Sequence, residues 1–207
     1  KDMKGLGTAL ITPFLENGEV DYQALSTLVE HQISGGTDYL VLLGTTSEVP
    51  TLTHAEQDAI VAHVVKQVAG RIPLVMGIGG NSTRAVVERI NSVRETLENH
   101  FAAILSVTPY YNRPQQEGLY QHLCAVAQAS PVPVILYNVP KRTGVNMLPE
   151  TTRRIYDAYP DKIVGIKEAC GGLEQFVETV RIANEDFSVI SGDDDLACDM
   201  VKAGGAG

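Results

Sequence analysis

Short apolar runs alternate with amphipathic segments along the chain, and this alternation constrains the fold more than any other feature. Alternating β and α units predict a parallel sheet whose strands are joined by crossover helices. The runs are almost continuously apolar, which is typical of parallel strands buried on both faces. The seven predicted strands are Leu6–Ile11, Tyr39–Leu43, Leu74–Gly77, Ala102–Val107, Val134–Tyr137, Ile163–Ile166 and Ser188–Ser191.

Helix start signals lie between these runs. Asp21 can cap a helix over Tyr22–Ser34, because its side chain can accept from free backbone N–H groups of the first turn. Thr53 and Glu56 have capping-box spacing, which predicts a helix running to about Val68. Further helices are expected from Asn81 or Ser82 to about Glu98, from Pro149, and from Leu196 after Asp193–Asp195.

Two architectures have this pattern, an open doubly wound sheet and a closed barrel. Seven evenly spaced units without an interior linker favour the barrel, and one domain over residues 1–207. A (β/α)₈ barrel usually runs to ~250 residues. Because Gly207 stands where an eighth strand would begin, we expect an α/β (β/α)₈ barrel truncated before that strand. An open sheet that ends there is the alternative.

Composition narrows the class of protein. A net charge of −9 and a pI near 5.0 argue against a nucleic-acid or anionic-membrane partner, which would favour a basic surface. The three cysteines form no C-x-x-C pair and no Cys/His cluster, so we expect reduced thiols, no metal site and a cytoplasmic location. No apolar run approaches a membrane span, and no signal peptide is expected at the N-terminus.

Barrel enzymes carry their reactive residues at the C-terminal ends of the strands. Lys167 directly follows the sixth apolar run, where burial would lower its pKa and free the amine to attack a carbonyl. A lysine reaching the surface is the simpler alternative. Tyr137 ends the fifth run, so its hydroxyl could shuttle protons in the same cavity, or it could be an ordinary core tyrosine.

Three loops carry further candidates. In the turn Gly44–Glu48, backbone N–H groups and hydroxyls could bind a carboxylate, unless it is an ordinary turn. The loop with Tyr110 and Tyr111 suggests an interface or a lid, or simple loop packing. Arg142 could bind a substrate carboxylate in a bidentate fork, or be a solvated arginine.

Together these segments resemble the dihydrodipicolinate synthase family, within the superfamily of pyruvate-dependent class I aldolases. The matching stretches follow the family order across nearly the whole chain: Gly44–Glu48, Val107–His122, Tyr137–Gly144, Gly165–Ala169 and Ser191–Asp194. The resemblance implies a lyase that condenses pyruvate with L-aspartate 4-semialdehyde in diaminopimelate and lysine biosynthesis, without a metal or an organic cofactor.

The resemblance also implies roles for single residues. Lys167 would form the Schiff base, and Tyr137 would donate and accept protons. Thr45 would link Tyr137 to the partner subunit's Tyr111, within a homotetramer assembled through the Tyr110–Tyr111 loop. The residues implied in substrate binding are Thr46 for the pyruvate carboxylate, Arg142 for the aspartate semialdehyde, and Gly192.

Two alternatives stay open: a related aldolase acting on a sugar acid, such as an N-acetylneuraminate lyase, or an inactive truncated barrel that only associates with partners. Arg142 and the Thr45–Thr46 pair favour the synthase, since the resemblance implies that neuraminate lyases typically have Ser-Thr in place of the threonine pair and lack this arginine. Ser47 departs from the glycine of many members. Gln57 and Ala85 replace a histidine and a glutamate of the lysine-feedback pocket, which predicts weak or absent inhibition by lysine.

Overall fold

Seven parallel strands form one sheet in which every strand pairs with its neighbours in the sequence. The computed structural model describes residues 3–207. Its strands are β1 (Gly7–Ala9), β2 (Tyr39–Leu42), β3 (Leu74–Gly77), β4 (Ala103–Val107), β5 (Val134–Asn138), β6 (Ile163–Glu168) and β7 (Ser188–Ser191). All seven predicted strands are therefore confirmed, and an all-parallel sheet in sequential order matches the expected chain of βα units.

The helices of the described residues follow the strands in turn. They are α1 (Tyr22–Ser34), α2 (His54–Val68), α3 (Thr83–Ser92), α4 (Arg94–His100), α5 (Gln116–Ala129), α6 (Pro140–Thr143), α7 (Pro149–Ala158), α8 (Leu173–Ile182) and α9 (Ala197–Lys202). The predicted caps are present: Asp21 accepts from the Ala24 amide at 2.9 Å, and Thr53 with Glu56 forms both halves of a capping box. Within residues 3–207, no helix is long and apolar enough to cross a membrane.

Several element boundaries differ from the sequence prediction, most of them by one or two residues. The helix expected to run to about Glu98 is interrupted at Val93, whose φ of −111° and ψ of 15° leave the helical region. Valine is β-branched and fits a helix interior poorly, so a break there costs little helix propensity. Helix α9 begins at Ala197 instead of Leu196. Strand β6 runs two residues further than predicted, because Lys167 and Glu168 continue the ladder although both side chains are ionisable.

The sheet curls, so that one short segment bonds to both of its edges. The Ala206 amide donates to the Val189 carbonyl of β7 at 2.8 Å, and the Ala206 carbonyl accepts from the Gly5 amide, ahead of β1, at 2.9 Å. The Ser191 amide donates to the Gly207 carbonyl at 2.9 Å. The open, doubly wound alternative does not bring its edges this close.

Apolar side chains pack on both faces of the curled sheet. Leu40 and Leu42 belong to the layer between strands and helices, whereas Tyr39 and Val41 belong to the inner layer enclosed by the strands. This alternation follows from the two-residue period of a strand. Tyr137 belongs to the inner layer, so the C-terminal end of β5 directs its side chain into the concave side.

Candidate active site

Lys167 and Tyr137 lie side by side at the C-terminal ends of neighbouring strands. They are direct partners in the β5–β6 register. Partners in register extend from the same face of a sheet, so both side chains enter the concave interior. The Lys167 Nζ atom lies 4.8 Å from the centre of the Tyr137 ring. The structure therefore brings together the two residues that the sequence singled out first.

The environment of Lys167 favours the neutral amine. Burial lowers its pKa from the ordinary value, because a desolvated ammonium is disfavoured. The carboxylates of Asp194 and Asp193 act in the opposite direction and moderate this effect. A larger fraction of free amine near neutral pH is what a carbonyl-attacking lysine requires.

The environment of Tyr137 favours the protonated phenol. Burial raises its pKa, and the charge of Asp193 adds to this effect. The hydroxyl of Thr45 and the guanidinium of Arg142 oppose it, because both stabilise the phenolate. Tyr137 is therefore protonated at rest, and the Thr45 hydroxyl and the Arg142 guanidinium would stabilise its phenolate. Such a residue can give up a proton and take it back.

Gly192 lies directly against the Lys167 side chain. A Cβ atom built on it would lie 3.0 Å from the Lys167 Cε atom and 2.9 Å from the Ala169 Cβ atom. These distances are shorter than the ~3.5–4.0 Å of ordinary carbon contacts. A side chain at this position would therefore push against Lys167 and Ala169, and a glycine leaves the lysine chain in place.

The turn after β2 carries Thr45 and Thr46 on a short 3₁₀ helix, Thr45–Ser47. Both threonines are exposed, whereas Ser47 is buried. The Ser47 hydroxyl donates to the Leu10 carbonyl at 2.6 Å, and the Thr12 hydroxyl donates to the Ser47 carbonyl at 2.8 Å. The serine that departs from the family pattern therefore anchors this turn to the segment after β1.

A cleft of about 680 Å³ opens at this end of the sheet. Thr45, Tyr137 and Arg142 line one part of it, and Arg142 lies exposed on the short helix α6, which the sequence did not predict. Lys167 does not line the cleft; its amine lies over the Tyr137 ring, on which the cleft borders. The arrangement places a cation at the mouth and an amine in the interior.

Tyr111 is a candidate that the structure does not bring to the site, and Thr46 is likewise not among the residues that line the cleft. The Tyr111 side chain is 88% exposed, its φ is +70°, and its amide donates to the Thr143 carbonyl at 3.3 Å. Tyr110, by contrast, lines the cleft. The relay role of Tyr111 needs a second subunit and stays a prediction.

Glu168 and Asn138 are further candidates at these strand ends, for which no sequence motif indicated a role. Both side chains are 0% exposed and face away from the concave interior, and the Asn138 Nδ2 atom donates to Glu168 Oε1 at 2.7 Å. Burial raises the pKa of Glu168 to about 7. The alternation of side chains along a strand could have indicated them. Each directly follows a catalytic candidate that faces inward, so each must face the helix side of the sheet, where a polar residue is unusual.

The described residues contain no group of three or more histidine, cysteine, aspartate or glutamate side chains arranged to hold a metal ion. The cysteines Cys124, Cys170 and Cys198 are free thiols.

Comparison with known proteins gives one family. The sequence pattern of the dihydrodipicolinate synthetase family matches residues 2–207. A 4-hydroxy-tetrahydrodipicolinate synthase of Parabacteroides distasonis is 50% identical over 206 residues, which span all of this chain and 68% of that protein. One of Flavobacterium psychrophilum is 50% identical over 203 residues, 98% of this chain and 68% of its own length.

Solved structures agree. The dihydrodipicolinate synthase of Thermotoga maritima superposes with a TM-score of 0.94 at 40% identity, covering 100% of this chain and 70% of that one. The Aquifex aeolicus enzyme gives 0.92 at 41% identity, covering 99% and 68%. A structure described as a monomeric dihydrodipicolinate synthase variant gives 0.93 at 41% identity, covering 99% and 67%.

Proposed function

Because the chain belongs to the dihydrodipicolinate synthetase family, we propose that it condenses pyruvate with L-aspartate 4-semialdehyde through a Schiff base on Lys167. The activity is that of a 4-hydroxy-tetrahydrodipicolinate synthase, a lyase of diaminopimelate and lysine biosynthesis. The observation that carries the proposal is the partly buried Lys167 amine over the Tyr137 ring, beside a cleft with Arg142 at its mouth.

The first step is imine formation. The neutral Lys167 amine attacks the keto carbon of pyruvate, and the keto oxygen leaves as water after protonation by the Tyr137 hydroxyl. The hydroxyl of Thr46 binds the pyruvate carboxylate, and Gly192, which lies against the Lys167 side chain, leaves that chain in its position. Thr45 and the partner subunit's Tyr111 form the relay through which Tyr137 exchanges protons with solvent.

The second step joins the two substrates. The protonated imine withdraws electrons, so the pyruvate methyl group loses a proton to the Tyr137 oxygen and an enamine forms. The enamine carbon attacks the aldehyde carbon of the second substrate, and the aldehyde oxygen takes a proton and becomes a hydroxyl group. The substrate's own amine then attacks the imine carbon, closes the ring and expels the Lys167 amine. The Arg142 guanidinium holds the carboxylate of this substrate in a bidentate fork.

Substitution of two lysines, one in β6 and one just before it, tests the proposal. Lys167→Arg removes the nucleophile, whereas Lys162→Arg changes a lysine that immediately precedes β6 and donates to the Ser130 carbonyl at 2.9 Å. We expect condensation of the two substrates to be lost in the first variant and kept in the second. Equal activity of both variants would contradict the proposal.

The same assay separates the alternatives. Cleavage of a sugar acid to pyruvate, without condensation of aspartate semialdehyde, would identify a related aldolase. Folded protein that turns over neither class of substrate would identify an interaction protein. Arg142→Ala distinguishes the first two outcomes further, because loss of the carboxylate fork raises KM for aspartate semialdehyde and spares pyruvate.

We propose further that the seven strands are part of a (β/α)₈ barrel and that residues 1–207 belong to one domain. The bonds from Ala206 and Gly207 to β7, and from Ala206 to Gly5, support this, because they occupy the position of an eighth strand. We also propose a homotetramer that uses the Tyr110–Tyr111 loop, supported by the exposure of Tyr111. Sedimentation velocity tests the assembly. The cytoplasmic location stays a prediction.

A further inference from the structure

A buried polar network lies behind the two reactive side chains. Asn138 and Glu168 are partners in the β5–β6 register, one residue beyond Tyr137 and Lys167. Strand alternation turns them to the opposite face of the sheet. There the Asn138 Nδ2 atom donates to Glu168 Oε1 at 2.7 Å, which adds a side-chain bond across the ends of the two strands.

The network extends to two further elements. The Gln175 Nε2 atom of α8 donates to Glu168 Oε2 at 3.3 Å and to the Met147 carbonyl at 3.1 Å. Asn138 Nδ2 donates to Asn146 Oδ1 at 2.8 Å, and the Met147 amide donates to Asn138 Oδ1 at 3.0 Å. The carboxyl of Glu168 thus joins β5, β6 and α8 to the segment that follows α6, the helix carrying Arg142.

We propose that Glu168 is a positioning residue that fixes Lys167 relative to Tyr137, an inference that rests on the proposed function. A contribution to the stability of the fold does not explain why a carboxyl group is buried at this position. An apolar pair of similar volume would avoid the desolvation of a side chain that is 0% exposed. Proton transfer and imine formation, by contrast, depend steeply on geometry, and a displacement of about 1 Å can lower the rate on the order of 100-fold.

The protonation state of Glu168 affects this network. An ionised Glu168 carboxylate accepts hydrogen bonds from the Asn138 and Gln175 amides, one on each oxygen. When the carboxyl is protonated, one of these oxygens carries an O–H group that faces an amide N–H, and that hydrogen bond is lost. Burial raises the pKa of Glu168 to about 7, with a further increase from Asp193, while the Asn138, Gln175 and Cys170 side chains lower it. The titratable groups that act on Glu168 are therefore Asp193 and Cys170, and positioning weakens as pH falls through about 7.

An exchange of the carboxyl and the amide tests the proposal. Glu168→Gln places two amide donors opposite each other, and Asn138→Asp places two carboxyls together. We expect each single variant to lower kcat about 10- to 100-fold while the KM for pyruvate changes less than about threefold. The double variant again sets one carboxylate against one amide, although position 138 loses its bond to Asn146, so it recovers part of kcat, as expected for directly coupled residues.

Two further readouts separate positioning from a general loss of stability. In Glu168→Gln the limb of the kcat profile near pH 7 flattens, whereas a limb that belongs to Lys167 persists. Ser130→Ala, which removes a 2.7 Å bond to the Val132 carbonyl near the start of β5, lowers the unfolding temperature and keeps kcat. The proposed function is tested separately, since it fails if wild-type protein forms no pyruvate adduct that borohydride can trap.

The positioning role is overturned if wild-type protein is trapped while folded Glu168→Gln keeps kcat within about twofold and the same pH profile. It is also overturned if the double variant is folded and no faster than the single variants. Should Glu168→Gln not fold, Gln175→Met on the partly exposed helix α8 decides. A loss of about threefold or more in kcat at unchanged KM supports the role, and unchanged kcat refutes it.

Discussion

Replacing Gly192 by alanine adds one methyl group beside the reactive lysine. The new Cβ atom would lie 3.0 Å from the Lys167 Cε atom and 3.2 Å from its Cγ atom. Carbon atoms in contact prefer ~3.5–4.0 Å, so the lysine chain has to move by about 0.5–1 Å. A displacement of this size at a reacting group lowers the rate on the order of 100-fold. Overpacking also costs about 1–3 kcal/mol of stability.

The assay is the rate at which borohydride traps the pyruvate adduct, measured beside kcat for the condensation. Gly172→Ala is the matched control, because a Cβ atom there meets nothing within 4 Å and the φ of −166° is open to alanine. We expect the control to react like wild type and Gly192→Ala to be trapped about 100-fold more slowly while it stays folded. Trapping of Gly192→Ala at the wild-type rate would refute the reasoning that a group placed against the Lys167 side chain hinders imine formation.

Three further predictions follow from the site. Tyr137→Phe removes the proton carrier, so kcat falls by about 10²- to 10⁴-fold while far-UV circular dichroism is unchanged; a loss below about threefold would remove Tyr137 from the mechanism. The pKa of Glu168 is raised from 4.5 to about 7, so the folded protein binds more protons than the unfolded chain between these values. The free energy of unfolding therefore falls as pH rises through this window, and urea titrations should show a flatter pH dependence in Glu168→Gln. Lysine inhibits weakly or not at all, because the Gln57 amide already donates to the Leu52 carbonyl at 3.1 Å and Ala85 offers no carboxylate. A micromolar inhibition curve would contradict this.

The parts of the fold set by local chemistry were predictable from the sequence. The cap at Asp21 and the capping box of Thr53 and Glu56 depend on residues three positions apart, and both are present. The seven strands were predictable because buried parallel strands are continuously apolar. The end of β6 was not, since Lys167 and Glu168 interrupt that apolar run and only pairing with β5 and β7 keeps them in the ladder.

The candidate site divides in the same way. Lys167, Tyr137 and Arg142 could be singled out because reactive side chains sit at strand ends in barrels. The bond between Asn138 and Glu168 depends on the β5–β6 register, which no local pattern fixes. Tyr111 remains untested for a different reason, because its proposed contact is made by another subunit.

The central claim is that the Lys167 amine carries the substrate as an imine. Its most direct test is peptide mass analysis after borohydride reduction of the protein with pyruvate. We expect a reduced pyruvyl group on the peptide containing Lys167 and on no other lysine peptide. Folded, condensation-active protein whose Lys167 peptide keeps its unmodified mass would contradict it.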